Sequence, residues 1–421
     1  MNKYKDIVGR INYTLFLVVV FLLPFPQVCL RYGAVLWIAT WILEGRWLRK
    51  PASLRENKMA IPFMLFGLWY VWRMVSGLWA PDHAAWSWQM ERYLTFGLIV
   101  PIGIWGVNNR YDWRQIGKVL VLGCIAAIPF YLMVLTVLYY HREIIDQLQW
   151  KADWNYDLPN WYAFLSDNIS HIKHRLFLCS VEMLGAVVAI QIWKNKKWVL
   201  ACALPVMLAC IPMTGSRQSI LTVAAMVVAG VVYLLPQRYR VRYGIGIMLL
   251  GVLLGGTVLK YHPRMQKFDL SDITEMREIS PDHDVRFNIW GIALQQPSDY
   301  VLRGLGAGQS THYMMAQYQK LGCDYYYEKQ YNCHNQYLEE LMEIGVFGLL
   351  FFVLAWLTIP LCAKQSGRLT ALLFTVLYML NMFTDCMFGR FDGIILWAIG
   401  LVLICRISLA DSAASDQIVR A

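Results

Sequence analysis

The sequence predicts an all-α polytopic membrane protein with about twelve transmembrane helices and one long loop on the outer face of the membrane. Of its 421 residues, 58% are hydrophobic and only 16% are charged, unlike an average soluble domain. The hydrophobic residues fall in blocks of about 20, the length that crosses a bilayer as a helix. Lysine and arginine collect in alternate short connections, as the positive-inside rule requires of cytoplasmic loops.

Twelve apolar segments can be placed along the chain. The predicted spans are Tyr13–Leu23, Val28–Leu43, Ile61–Trp79, Tyr93–Val107, Val119–Tyr139, Leu176–Trp193, Val199–Met213, Ile220–Leu235, Ile245–Leu259, Leu338–Leu361, Leu369–Phe388 and Ile394–Ala410. Basic residues precede the first span, as in a signal peptide, but no small-x-small cleavage site follows it. We therefore expect the first two segments to remain as a helical hairpin.

The orientation follows from the most basic short connection. It contains five cationic residues, Arg46, Arg49, Lys50, Arg55 and Lys58. This connection should be cytoplasmic, which puts both termini inside and the long polar segment outside. The chain then divides into nine spans within 1–259, an outer catalytic loop with short amphipathic helices within 260–333, and three spans within 334–421.

Composition disfavours nucleic-acid and metal chemistry. The net charge of +10 forms no basic stripe with interleaved aromatic residues, so no nucleic-acid partner is expected. The ten cysteines include no Cys-x-x-Cys pair, which argues against a zinc site or a redox motif. Cys323 and Cys333 in the outer loop could form a bridge or remain free thiols. Asp282 and Asp284 form one Asp-x-Asp triplet, more often a solvated loop than a metal site.

His334 lies where the long polar segment ends and an apolar helix begins. Leu338, Leu341 and Met342 recur at helical spacing, so this helix should start within a residue or two of the histidine. A neutral imidazole can accept a proton, as a general base must. By position alone, a capping or interfacial histidine is the simpler interpretation.

Two arginines also lie on the predicted outer side. Arg217 follows Gly-Ser and heads a transmembrane helix, whose first backbone N–H groups favour anions. A guanidinium there could bind a phosphate through paired hydrogen bonds, or could anchor the helix at the interface. Arg286 lies at the start of an amphipathic helix. Taken alone, it is most simply interpreted as a solvated residue. The expected apolar face of that helix contains Phe287, Trp290, Ala293 and Leu294.

A second group of outer-side residues is predicted to bind substrate. It comprises Arg92 at the edge of the fourth span, His171, His174 and Arg175 at the mouth of the sixth, and Asn335 beside the candidate base. The histidine-rich cluster could form an acceptor or lipid-phosphate surface, although contact with lipid headgroups is the simpler interpretation.

Four motifs follow one another between residues 215 and 348. They are Gly-Ser-Arg ending at Arg217, Arg-x-x-x-Trp beginning at Arg286, Gly-x-Gly-x-Gly beginning at Gly304, and His334-Asn335-x-x-Leu338-Glu339 with Glu343 and Gly345-x-x-Gly348. In this order, on the outer edges of many spans, they resemble the O-antigen ligase/polymerase superfamily, including the lipopolysaccharide O-antigen ligases. The glycines are no dinucleotide motif, since no strand and helix frame them, and they should permit a tight turn.

The resemblance implies a GT-C-like membrane fold and an inverting, metal-independent glycosyltransferase without a cofactor. O-antigen or a similar polysaccharide would pass from undecaprenyl diphosphate to lipid A-core on the periplasmic face of the inner membrane. His334 matches the family histidine proposed as general base. Arg217 and Arg286 match the arginines that hold the lipid diphosphate. The implied partners are the lipid-linked donor, the lipid A-core acceptor and the bilayer.

Three alternatives differ in the chemistry that they require. A polymerase or a protein O-oligosaccharyltransferase of the same superfamily would use the same donor with another acceptor; the predicted twelve-span layout with one dominant loop favours a ligase. A flippase or transporter would predict internal repeats and charges near the bilayer midplane. A membrane scaffold would not need His334, Arg217 and Arg286 on one side.

The predicted orientation can be tested by labelling introduced thiols in intact cells. A membrane-impermeant maleimide should react with Asp282→Cys, since that position is predicted to lie outside. It should not react with Lys196→Cys, which lies in a basic connection predicted to be cytoplasmic. Labelling of both positions, or the reverse pattern, would contradict the orientation.

Overall fold

The computed structural model describes residues 2–45, 58–101, 111–141, 144, 160–193, 195–261 and 285–420. Within these ranges every long regular element is an α-helix, and no strand occurs. The helices are α1 (Asn2–Leu22), α2 (Gln27–Glu44), α3 (Ala60–Val75), α4 (His83–Arg92), α5 (Leu94–Pro101), α6 (Trp113–Tyr140), α7 (Trp161–Ile172), α8 (Arg175–Ile192), α9 (Lys197–Leu208), α10 (Cys210–Thr214), α11 (Arg217–Leu234), α12 (Gln237–Tyr261), α13 (Val285–Ala293), α14 (Ser310–Leu321), α15 (Asp324–Glu328), α16 (Gln336–Cys362), α17 (Arg368–Thr384) and α18 (Phe391–Arg420).

Seven stretches of the described helices are long and apolar enough to cross a membrane. They are Ala60–Leu78, Trp113–Tyr140, Arg175–Ile192, Lys197–Thr214, Arg217–Leu234, Gln336–Cys362 and Gln365–Thr384. Each coincides with one predicted span, so the chain is a multi-pass, all-helical membrane protein. The count of twelve, the orientation and the division at residues 259 and 333 remain predictions.

Helices α8, α16 and α17 form the centre of the bundle. The apolar window of α8 is 83% buried, and α8 packs against α6 and α17. Helix α16 packs against α3 and α17, while α17 also packs against α11. Helix α17 therefore contacts α8, α11 and α16.

A glycine interrupts the long helix α16. Gly345 has φ 67° and ψ −173°, a conformation in which other residues are strained. The interruption exposes backbone groups, which the loop before α14 satisfies. The N–H of Val346 donates to the carbonyl of Val301 at 2.8 Å, and the N–H of Leu305 donates to that of Met342 at 2.8 Å. The loop is therefore joined to the interrupted helix by backbone hydrogen bonds.

The Gly-x-Gly-x-Gly segment forms the tight turn that the sequence predicts. Gly304, Gly306 and Gly308 all have positive φ angles. A Cβ atom on Gly304 would lie 2.3 Å from the carbonyl oxygen of Glu343, and one on Gly345 would lie 2.4 Å from that of Leu302. Two backbones thus approach so closely that only glycine fits on either side.

Substituting Gly345 tests this close approach. Gly345→Ala should lower the free energy of unfolding by on the order of 3 kcal/mol, because left-handed strain and a backbone clash add together. Gly322→Ala is the matched control, since Gly322 also has a positive φ but nothing lies within 4 Å of an added Cβ. Gly322→Ala should lower the free energy of unfolding by only about 1–2 kcal/mol, the cost of the left-handed strain alone. Thermal unfolding in detergent measures both; equal losses would contradict the predicted clash.

Candidate functional site

Asp385, directly after α17, lies at the centre of the site. Its Oδ1 is 3.6 Å from Nδ1 of His334, and the preceding carbonyl, of Thr384, accepts a hydrogen bond from Nε of Arg286 at 3.1 Å. Burial raises the pKa of Asp385, but the nearby His334, His174 and Arg286 outweigh it and hold that pKa at about 2. The carboxylate is therefore ionised at neutral pH, beside the predicted base.

The backbone holds His334 in an uncommon conformation. Its φ of 45° lies in the left-handed region, which few non-glycine residues adopt. Its N–H donates to Oδ1 of Asn332 at 3.0 Å. The carbonyl of Cys333 accepts a hydrogen bond from Nε1 of Trp290 at 2.9 Å. Such a conformation persists only where its surroundings fix it, and here two hydrogen bonds hold the peptide group between Cys333 and His334.

Asn335 caps helix α16, which begins at the position that the periodicity predicts. Its side-chain oxygen accepts hydrogen bonds from the N–H groups of Tyr337 at 3.0 Å and Leu338 at 3.1 Å. Such a cap satisfies donors that a helix start leaves unpaired. Asn335 is 5% exposed, so its predicted contact with substrate remains a prediction beside an observed structural role.

The amphipathic helix α13 packs with a different face from the predicted one. Its buried residues are Asn288, Ile289, Ile292 and Ala293, whereas Leu294 is exposed. The prediction was wrong for Leu294 because α13 ends at Ala293. Trp290 is partly buried, with its ring centroid 5.3 Å from that of Phe383 near the end of α17. This packing brings Arg286 to the end of α17.

Arg217 is brought to the same region by the packing of α11 on α17. Ser216 is the N-cap of α11 and Arg217 its first residue. The next residue, Gln218, donates from Nε2 to the carbonyl of Leu380 at 2.8 Å. One turn farther, Oγ1 of Thr222 donates to Oδ1 of Asn381 at 2.9 Å. The start of α11 is thereby joined to the last turn of α17, close to the residues that contact Arg286 and His334.

Of the second group of predicted residues, the structure places His174 and Arg92 near the same helix end. Burial first, and then the charges of Arg390 and Arg175, lower the pKa of His174 to about 4, with Asp385 opposing them. His174 is therefore neutral at neutral pH. Arg92 donates from Nη2 to the carbonyl of Phe388 at 3.5 Å. His171 is exposed in the last turn of α7.

A network of buried ion pairs holds together the helices that pack around the site. The sequence did not reveal this network. Arg73 in α3 is 0% exposed and donates from Nη1 to Glu340 at 2.6 Å and from Nη2 to Glu343. Glu343 also accepts hydrogen bonds from Gln89 at 3.0 Å and Ser310 at 2.7 Å. This network joins α3, α4, α14 and the first half of α16, so that their packing is mutually dependent.

Gln336 connects that network to the turn that contains Asp385. Its Nε2 donates to both Glu339 and Glu340 at 2.9 Å. Its Oε1 accepts a hydrogen bond from the N–H of Phe388 at 2.8 Å. The turn after α17 is therefore hydrogen-bonded to the first residue of α16. This end of α16 follows shortly after His334 in the chain.

Sequence reasoning missed Asp385 and Arg73. The signal for each was the same: an isolated charged residue within or at the edge of an apolar span, where charge is costly unless it is paired. Their partners are distant in sequence, since Arg73 and Glu340 are separated by 267 residues. Helix packing, which the sequence pattern does not give, was needed to pair them.

No metal-binding group is found among the described residues. Nowhere in these ranges do three or more His, Cys, Asp or Glu side chains lie together as a metal site requires. The Asp282–Asp284 triplet lies outside the described residues, so its role as a solvated loop stays a prediction.

Residues 202–353 match the family model described as O-Antigen ligase. This match supports the O-antigen ligase/polymerase superfamily, which the sequence motifs resemble. No curated protein matches it significantly. The matched segment contains Arg217, Arg286 and His334, three residues that the packing brings toward one helix end. The family supports an enzyme of the ligase or polymerase type, acting on polysaccharide and lipid-linked substrates in a membrane.

Removing the buried guanidinium tests the supporting network. Arg73→Met should lower the free energy of unfolding by about 3–5 kcal/mol, because two buried carboxylates lose their partner. Adding Glu340→Gln and Glu343→Gln should restore part of that loss. The control is Arg303→Met, an exposed arginine, which should change stability by no more than about 0.5 kcal/mol. Stability is measured by thermal unfolding. If Arg73→Met and Arg303→Met proved equally stable, a structural role for the network would be contradicted.

Proposed function

We propose that this protein is a metal-independent, inverting glycosyltransferase that moves O-antigen or a similar polysaccharide from undecaprenyl diphosphate to lipid A-core on the periplasmic face of the inner membrane. One observation carries the proposal. Three motifs widely separated in sequence meet at the end of α17, where His334 lies 3.6 Å from Asp385 and Arg286 contacts Thr384. A base beside a carboxylate, with two arginines nearby, suits transfer from a diphosphate leaving group.

In this mechanism His334 removes the proton from the acceptor hydroxyl. The anionic Asp385 favours the tautomer with a proton on Nδ1, so Nε2 carries the lone pair that accepts the hydroxyl proton. The side chain of His334 is 27% exposed, so an acceptor can approach it. The oxygen attacks the anomeric carbon as the bond to the diphosphate breaks on the opposite face, which inverts the configuration.

Arg217 and Arg286 stabilise the diphosphate as it leaves. A guanidinium forms paired hydrogen bonds to phosphate oxygens and stays charged at any physiological pH. His174 is neutral in its buried position, so it adds no charge to this task. Arg92, His171, Arg175 and Asn335 are proposed to contact the donor or the acceptor at the rim.

A polymerase or a protein O-oligosaccharyltransferase would use the same residues with another acceptor. Gene deletion followed by separation of cellular glycolipids and glycoproteins distinguishes these activities. Loss of all polymer from lipid A-core, with lipid-linked polymer retained, is expected for a ligase. A single repeat unit on lipid A-core would instead indicate a polymerase, and loss of glycan from proteins alone would indicate protein glycosylation.

The roles of the charged residues can be separated by measuring donor binding and transfer in parallel. His334→Ala should lower turnover about 10²–10⁴-fold with donor binding nearly unchanged, because the base acts only on the acceptor. Asp385→Asn should lower turnover by less, again without weakening donor binding. Arg217→Ala and Arg286→Ala should weaken donor binding as well, with only partial rescue by lysine.

Each role proposed for these charged residues has an outcome that would contradict it, and one exposed arginine provides the control. Arg303→Ala removes an exposed arginine and should leave both measurements unchanged. A His334 variant that cannot bind donor would make the histidine a phosphate ligand. Arginine variants with full activity would remove the proposed diphosphate site. Activity should persist in excess chelator; its loss, with recovery on adding Mg²⁺ or Mn²⁺, would contradict metal independence.

A further inference from the structure

Two cysteines lie beside the proposed base and its carboxylate. Cys333 precedes His334 and Cys386 follows Asp385. Their sulfur atoms are 3.8 Å apart, and the two residues are 1% and 2% exposed. The same two chain segments are therefore in contact twice, once through the thiols and once through the imidazole and the carboxylate.

We propose that Cys333 and Cys386 form a disulfide that clamps His334 against Asp385. This inference rests on the proposed function, because it places the site in the oxidising periplasm. The bond forms when the two thiols lose two protons and two electrons. The oxidant is a protein disulfide of a thiol–disulfide exchange enzyme, which is reduced to a dithiol.

Bond formation precedes complete folding. Exchange requires a thiolate that an oxidant can reach. In the folded protein both thiols are buried, and burial raises the pKa of Cys386 well above its ordinary value. The exchange enzyme therefore acts while the segments around residues 333 and 386 are still accessible. Once formed, the bond is protected from reductants by the same burial.

The bridge limits the separation of the base and its carboxylate. The two sulfur atoms are 3.8 Å apart, so side-chain rotation and a small shift of the segments suffice to form the bond. His334 and Asp385 are the chain neighbours of the two cysteines. The bond therefore limits how far Nδ1 of His334 and Oδ1 of Asp385, which are 3.6 Å apart, can move from each other. Both cysteines thus act as positioning residues, through the histidine and the aspartate.

Cys323 is the alternative partner and provides the matched control. It is also buried, in the same apolar cluster as Cys333 and Cys386. The sulfur atom of Cys333 lies 3.8 Å from that of Cys386 and donates to the carbonyl of Asn335 at 3.2 Å. A bridge between Cys323 and Cys333, which the sequence left open, would tie together two points of one loop and would not involve the segment with Asp385.

Mass spectrometry of the purified full-length protein tests the bond without any activity assay. The protein is alkylated during cell lysis, denatured without reductant and digested. A linked peptide pair containing Cys333 and Cys386, with Cys323 alkylated, is expected. Alkylation of both Cys333 and Cys386, or a link from Cys323 to either, would overturn the proposal. This result stands even if the transfer activity itself proves to be different.

Transfer assays then test the positioning role. Cys333→Ser, Cys386→Ser and the double variant should each lower turnover roughly 10–100-fold, because a displacement of about 1 Å at the base is costly. Donor binding should not change, and Cys323→Ser should retain full turnover. Strong reductant applied to the unfolded protein before refolding should reproduce the loss in wild type but not lower the double variant further. Unchanged turnover in the double variant would overturn the positioning role.

Discussion

The buried guanidinium of Arg73 is a constraint on which much of the packing around the site depends. It pairs with Glu340 and Glu343 on the inner face of α16, where the cost of burying three charged groups is offset only while all of them are paired. From Glu340 the hydrogen bonds continue through Gln336 to the turn after α17. The relative positions of His334 and Asp385 therefore depend on a buried ion pair between α3 and α16.

The glycine turn extends the same constraint to the loop before α14. Ser76, one turn beyond Arg73, accepts a hydrogen bond from the N–H of Ala307 at 2.9 Å. Nε1 of Trp72 donates to the carbonyl of Ile344 at 3.0 Å, next to the interruption at Gly345. Helix α3 thus contacts both sides of the close backbone approach. A loop fixed at this many points can hold charged residues in place.

The sequence was sufficient to predict the helical membrane architecture, the start of α16 and the tight glycine turn. Each of these depends on local patterns: runs of apolar residues, helical spacing, and glycine where positive φ angles are needed. It also indicated His334, Arg217 and Arg286 as candidate site residues, because polar residues at the ends of apolar helices need a reason to be there; their roles remain predictions. Asp385 and Arg73 could not be paired with their partners, since which helices touch depends on side-chain packing across hundreds of residues. The buried face of α13 was predicted incorrectly at Leu294, because the helix ends one residue earlier, at Ala293.

The interruption at Gly345 divides α16 into two parts. One part packs inside the protein near the site, and the other can face lipid. Before it, Glu339, Glu340 and Glu343 are buried inside the protein. After it, Val346, Phe347 and Leu350 are exposed on the outside of the bundle, as lipid contact requires. From Val346 to the end of α16 at Cys362, a rise of 1.5 Å per residue gives about 25 Å, close to the apolar thickness of a bilayer. The first nine residues of α16 lie on the other side of the interruption. His334 directly precedes them in the chain, outside the part of α16 whose exposed side chains are apolar.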